Sequence, residues 1–353
     1  MTLKSISILG ALTVVAVGAA GYSLNANRAG PGVEMSGAVF PGLIEGINTI
    51  DKVVVEHRNK TLTMVRSPKG AWTMDESDGY AVSAKNAEKV VVQLADLNFY
   101  ETKTKKPDLY SRLHVEDPKK KQSEARHIRL FDKDGKVLVD LVAGRKRHNL
   151  VGARKEGVYI RKPGNAQTWL AAGELSVGVK SSDWLERKIV DIKEKDVLSV
   201  TLRHSDGEVI KVSKEDAKAR NFALHGIPDG KTLEYDTDPN NIAAVIDQLE
   251  LDDVRKAGYI AFDGGKTTTA EFITRDGLKL EFRVVDKDRT QWVELKASAI
   301  DGAPAPKEGK SAAERANEIN ARVKGWVYAL PGFKGSRLKR HMADMLKDKK
   351  PAS

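Results

Sequence analysis

Seven histidines, at 57, 114, 127, 148, 204, 225 and 341, are the first residues to test for chemistry, because imidazole binds metals and moves protons near neutral pH. None falls in an H-x-H or H-E-x-x-H spacing, so a zinc site would have to be assembled from distant parts of the chain. The plain reading leaves them facing solvent from strands and loops. Gly-Gly-Lys-Thr at 264–267 has the end of a phosphate loop, but the earlier glycine of that motif falls on Ile260. The segment also lies between strands instead of opening a helix, so it reads as a hairpin loop. No G-x-S-x-G is present, and Glu116-Asp117 stands before Pro118, where turn chemistry explains it better than a catalytic dyad. The absence of cysteine removes disulfides, thiolate nucleophiles and Cys-ligated metals. No cofactor is implied, and the expectation is a protein that is not an enzyme.

What remains is charge. Between Glu101 and Lys162 there are 18 Lys and Arg against 9 Asp and Glu, while the whole chain of 353 residues carries only +10. Basic character is thus concentrated in one segment, and an electrostatic partner would be met there. Lys119, Lys120 and Lys121 with Arg145, Lys146 and Arg147 form the candidate face for an anionic partner, either an acidic protein or lipid headgroups. The competing reading is a solvated face with no ligand.

These residues must be carried by strands, helices and turns whose pattern occurs twice. VVVEHRNKTLTMVR reads as a hairpin around Asn59-Lys60, and Trp72 adds a short strand. Ser83 then opens a helix whose apolar face is Ala87, Val90, Val91, Leu94 and Leu97. A charged connection, KTKKPDLYSRLHVEDPKKK, holds a short helical turn around Leu109 to Leu113. The hairpin from Ile128 to Val142 turns at Asp132–Gly135. Ser83 and Asn86 recur as Asp238 and Asn241, and Val90, Gln93 and Leu94 as Val245, Gln248 and Leu249. Asp134-Gly135 matches Asp276-Gly277, Tyr159 matches Trp292, and Trp184 matches Trp326. A helix is predicted over Ala312 to Tyr328, with Ala316, Ile319, Val323 and Val327 on one face. The five tryptophans, at 72, 169, 184, 292 and 326, read as core anchors.

The expected fold is α+β: two tandem repeats, each mainly antiparallel β-sheet with one or two packed helices, after an N-terminal membrane helix. Ile6 to Leu24 is an apolar run that would rise about 28 Å as a helix, close to the thickness of a bilayer core. A membrane anchor is preferred over a cleaved signal peptide because no clean A-x-A site follows. The domain reading is 1–26 anchor or signal peptide, 27–46 tether, 47–192 first repeat, 193–335 second repeat and 336–353 a frayed basic tail. At 41% apolar and 31% charged residues, the body is globular.

The stretches VFPGLIEGINTI, KGAWTM, KTKKPDLYSRLHVEDP and GVYIRKPGNAQTWLA followed by SSDWLERKIVDI resemble the domain-of-unknown-function family numbered 4340, from about Phe40 to Ile192 with a weaker echo to Leu330. The chain departs from that pattern at His114, where the family often has glycine. The resemblance implies a bacterial envelope protein with an N-terminal membrane segment, placed in the inner membrane with its body in the periplasm. It also implies association with an ABC transporter of the gliding-motility type. No catalytic residues come with it. The expectation is a non-enzymatic binding or accessory subunit, with a hydrolase or transferase of envelope polymers as the alternative. Nucleic acid is not an expected partner of an exported chain.

Overall fold

The computed structural model describes residues 37–150, 156–216, 218–263, 265–304 and 309–349. The expected membrane segment at Ile6–Leu24 lies outside them. Among the described residues no helix is long and apolar enough to cross a membrane. The chain is α+β, with mostly antiparallel strands and few helices. It divides into two compact units, one ending at Val179 and one beginning at Lys180, with Ser67–Ser83 counted in the second. The repeat boundary drawn on the sequence lies at Ile192.

In the first unit, β1 (Ile50–His57) and β2 (Lys60–Arg66) form a hairpin, which turns at Arg58-Asn59 with φ of 49° and 58°. Two left-handed residues suit a two-residue hairpin turn, because their twist matches that of the strands. The short strands β3 (Trp72–Met74) and β4 (Tyr80–Ala81) come next in the chain and belong to the second unit. Helix α1 (Ala84–Ala95) starts where Ser83 predicts and buries Ala87, Val90, Val91 and Leu94. After it run β5 (Asn98–Thr102), the short helix α2 (Tyr110–Leu113), β6 (Arg126–Asp132), β7 (Val137–Arg147), β8 (Gly157–Arg161) and β9 (Thr168–Ala172). The strand order in this unit is β2-β1-β6-β7-β8-β9-β5. Helix α2 ends at His114, whose φ is 57°. A left-handed residue closing a helix is a glycine position by preference, and here it is filled by His114.

The second unit repeats this order. Its strands are β10 (Lys188–Val190), β11 (Val197–Arg203), β12 (Val209–Ser213), β13 (Ala223–Leu224), β14 (Lys231–Leu233), β15 (Leu249–Glu250), β16 (Asp253–Lys256), β17 (Thr268–Thr274), β18 (Leu278–Lys287), β19 (Thr290–Ala299), β20 (Trp326–Ala329) and β21 (Leu346–Asp348). The helices are α3 (Asp238–Ala243), α4 (Ala312–Val323) and α5 (Gly332–Arg337). The main sheet runs β13-β12-β11-β17-β18-β19-β20-β16. Correspondence reaches single residues. Val53 pairs with Leu130, and Leu130 with Val139; in the second unit Val200 pairs with Phe272, and Phe272 with Leu280. Both copies break register at the same place, between Ile50 and Lys52 and between Val197 and Ser199.

Four expectations need correction. The helix predicted over 312–328 stops at Val323; Gly325, with φ of 84°, turns the chain into β20, so Val327 is a strand residue. Trp184 is not the counterpart of Trp326. Ala172 pairs with Asn98 as Ala329 pairs with Asp253, and three residues earlier stand Trp169 and Trp326. The C-terminal segment is not frayed: β21 pairs with β14, and Leu338 and Met345 are fully buried. Finally, the loop holding Lys266-Thr267 connects β16 to β17, which are not neighbours, so it is a crossover and not a hairpin loop.

Trp184 instead sits at 1% exposure beside the arm formed by β3 and β4, its carbonyl accepting from the Ser83 amide at 2.8 Å. Truncating a buried residue of that size removes its transfer energy and leaves a cavity. Trp184→Ala should lower stability by about 3–5 kcal/mol in urea melts. A loss below about 1 kcal/mol would mean the indole is peripheral to the core.

Candidate functional site

The basic residues of the first unit are positioned by two local devices. Glu116 accepts from the Ser123 hydroxyl at 2.8 Å and from the Glu124 amide at 2.9 Å, and Asp117 accepts from the Lys119 amide at 3.0 Å. These bonds draw residues 116–124 into a tight turn and present Lys119, Lys120 and Lys121 to solvent. The expected turn role of Glu116-Asp117 is what the geometry shows. On β7 a bulge places Gly144 and Arg145 opposite Tyr159. A Cβ at Gly144 would lie 2.2 Å from the Leu113 carbonyl, so only glycine lets the 113–115 segment lie against the strand. The lysine turn starts just after that segment, and Arg145 follows Gly144, so one close approach anchors both basic groups.

Within the second group the side chains part. Arg145 lies over the Tyr159 ring at 5.7 Å, and Arg145 and Arg147 share one side of the strand by alternation. Lys146 is on the other side and donates to the Ser176 hydroxyl at 2.6 Å. None of the six is in an ion pair among the described residues, whereas Lys103 pairs with Glu101 at 2.6 Å and Arg129 with Glu56 at 2.8 Å.

The second unit holds a cleft of about 460 Å³ against α4, lined by Glu281, Arg283, Glu294, Lys296, Lys324 and Trp326 among others. Asn320 fixes its wall, accepting from the Ala297 amide at 2.9 Å and donating to the Ala297 carbonyl at 2.8 Å. Charges of opposite sign face each other across β18 and β19, with Arg283 donating to Glu294 at 3.2 Å. Trp326 at its rim meets Tyr80 edge to face, with ring centroids 4.9 Å apart. Tyr80 in turn lies 6.1 Å from Tyr328.

A third cluster lay beyond sequence reasoning. His204, Asp206 and Glu208 occupy the hairpin between β11 and β12, and His341 comes from the C-terminal segment. His204 is buried, against the expectation of solvent-facing histidines, and stacks on His341 with centroids 4.1 Å apart and planes 20° apart. Its Nε2 donates to the Arg340 carbonyl at 2.9 Å, and His341 Nδ1 hydrogen-bonds to Glu208. The only sequence signal is the alternation His204-x-Asp206-x-Glu208; nothing local points to His341. Ser213 and His225 also meet, at 2.7 Å, but no carboxylate orients that imidazole among the described residues.

Burial pushes the phenols of both Tyr80 and Tyr328 above their ordinary value of 10.0, and for Tyr328 the neighbouring Tyr80 adds to the effect. A folded-state value raised above the unfolded one gives stability that is complete below pH 10 and declines as pH rises further. The unfolding free energy should therefore fall above about pH 10, by up to about 1.4 kcal/mol per pH unit for each phenol, and melting midpoints should fall with it. The Tyr80→Phe, Tyr328→Phe double variant should lose part of that decline. An unchanged slope would show that these phenols ionise freely in the folded protein.

No curated protein and no solved structure matches the chain. The sequence pattern described as "Domain of unknown function (DUF4340)" matches residues 72–271. That stretch contains α1, the 103–125 connection, the β6–β7 hairpin, the basic residues of the first unit and the opening strands of the second, and the chain belongs to the DUF4340 family.

Proposed function

We propose that this protein is a single-pass protein of the bacterial inner membrane, held by Ile6–Leu24 with its body in the periplasm. In this reading it is a non-enzymatic binding or accessory subunit, and its first unit meets an anionic surface. The observation that carries the proposal is the set of exposed basic side chains, Lys119, Lys120 and Lys121 with Arg145 and Arg147, that stand outside any ion pair among the described residues. The 103–125 connection that bears the lysines is longer than its counterpart at 257–267, so these charges are additions to a shared scaffold. The paired halves of the chain are best explained as a duplication, which supplies the scaffold twice and the basic additions once. What the family resemblance implies supports an ABC-transporter-type complex as the partner in the membrane.

Of the stretch 27–46 read on the sequence as a tether, residues 37–46 belong to the first unit, where Val39 and Leu43 are buried and the Val39 amide donates to the Leu97 carbonyl at 2.8 Å. The ten residues 27–36 reach at most about 35 Å, which keeps the unit close to the bilayer. Each Lys or Arg near an anionic leaflet contributes about 1 kcal/mol, and the attraction decays within about 8 Å at physiological salt. Three or four such residues suffice to bias orientation. The envelope-polymer hydrolase remains the second reading, favoured by the cleft that sets Glu281 and Glu294 near Trp326. Against it, the Glu294 carboxylate already accepts from Arg283.

The chain from Gly37 onward should float with phosphatidylglycerol-containing vesicles at low salt and dissociate as salt rises. Reversing Lys119, Lys120, Arg145 and Arg147 to Glu should abolish flotation while leaving circular dichroism and melting unchanged. If the parent chain ignores anionic vesicles at low salt, the surface is merely solvated and the proposal fails.

A further inference from the structure

We infer that His204, Glu208 and His341 form a binding site for one divalent transition ion of the zinc type, with Asp206 as a fourth donor. One ring nitrogen of each histidine and one Glu208 oxygen lie within 4.8 Å of one another. Two imidazoles and a carboxylate suit zinc and its neighbours, whereas magnesium and calcium prefer all-oxygen shells.

The surrounding bonds are those that hold a ligand set in place. His204 Nε2 donates to the Arg340 carbonyl, which fixes the tautomer and leaves the Nδ1 lone pair with only a long contact, 3.3 Å, to the Thr268 hydroxyl. Glu208 is held through Oε1 by the Met342 amide at 3.0 Å, and its Oε2 is directed at His341. Asp206 Oδ2 lies 3.8 Å from His341 Nδ1. The guanidinium of Arg340, next to His341 in sequence, turns to Asp238 at 3.3 Å. Asp206 and Glu208 bring two acidic side chains to the cluster, whose charge a divalent ion would offset.

Binding requires one rearrangement. The imidazoles stack face to face, and the Glu208–His341 hydrogen bond occupies the place of the ion. Metal–ligand bonds of about 2.0–2.1 Å need lone pairs that converge, so His341 must leave the stack. It has room to do so: its side chain is 40% exposed and that of Glu208 30%, while His204 stays buried as the fixed ligand.

The test is calorimetric titration of the full chain, purified in detergent and stripped with chelator, with Zn2+, alongside absorption spectroscopy with Co2+. The expected result is one equivalent bound, with visible Co2+ bands of a low-symmetry nitrogen and oxygen site. His341→Ala and Glu208→Gln should each weaken binding about tenfold or more with unchanged circular dichroism, and His148→Ala, outside the cluster, should not. Because His204→Asn disturbs a buried position, the two more exposed ligands are the decisive substitutions. Absence of stoichiometric binding, or binding that survives His341→Ala and Glu208→Gln at full strength, overturns the inference.

Discussion

The structure depends on burying one apolar stripe across three neighbouring strands, and it does so twice. Val53, Leu130 and Val139 in one unit, and Val200, Phe272 and Leu280 in the other, are all between 0% and 1% exposed. Each such side chain contributes about 1.5–3 kcal/mol by leaving water, and the stripe fixes register because a one-residue slip would turn it to solvent. The matching break before it, at Ile50/Lys52 and Val197/Ser199, lets each first strand twist without disturbing the stripe. Loops can then vary freely at the strand ends, which is where the basic turn of one unit and the imidazole cluster of the other have arisen.

Much of this was legible because it is local. The spacing of Ala87, Val90, Val91 and Leu94 gives α1, and Asp132 and Gly135 give the β6–β7 turn, where Gly135 has φ of 79°. The helix after β19 was overextended for a physical reason: Val327 stands four residues after Val323, so the helical period runs on into a strand. Gly325 was the stop signal. The tryptophan pairing failed because Trp169 follows a loop without a helix, while Trp326 follows α4; sequence spacing cannot align positions across such an insertion, and strand register can.

What was illegible is non-local. The lysines and arginines after Ser336 mask Leu338 and Met345, which share no clear period with their apolar neighbours, yet both are fully buried. Lys334 is the extreme case: its ammonium is buried and donates to the Val245 carbonyl at 2.9 Å and also to that of Asp247, capping the end of the α3 segment. Burial pulls its ionisation downward, and the carbonyls of a helix end are what make a buried ammonium tolerable. The same docking brings His341 to Glu208 across 133 residues, a pairing that no motif spacing encodes. The basic face shows the opposite case: its charges are plain in the sequence, while the glycine that seats them, Gly144, becomes meaningful only beside the Leu113 carbonyl.

In the proposed function the first unit meets an anionic surface through Lys119, Lys120, Lys121, Arg145 and Arg147. The most direct measurement is hydrogen–deuterium exchange of the full chain in nanodiscs of anionic or neutral lipid. The account predicts slowed exchange over residues 116–124 and 144–150 in anionic discs alone, with the hairpins of the second unit unchanged. Equal exchange in both lipids, or protection confined to the second unit, would contradict it.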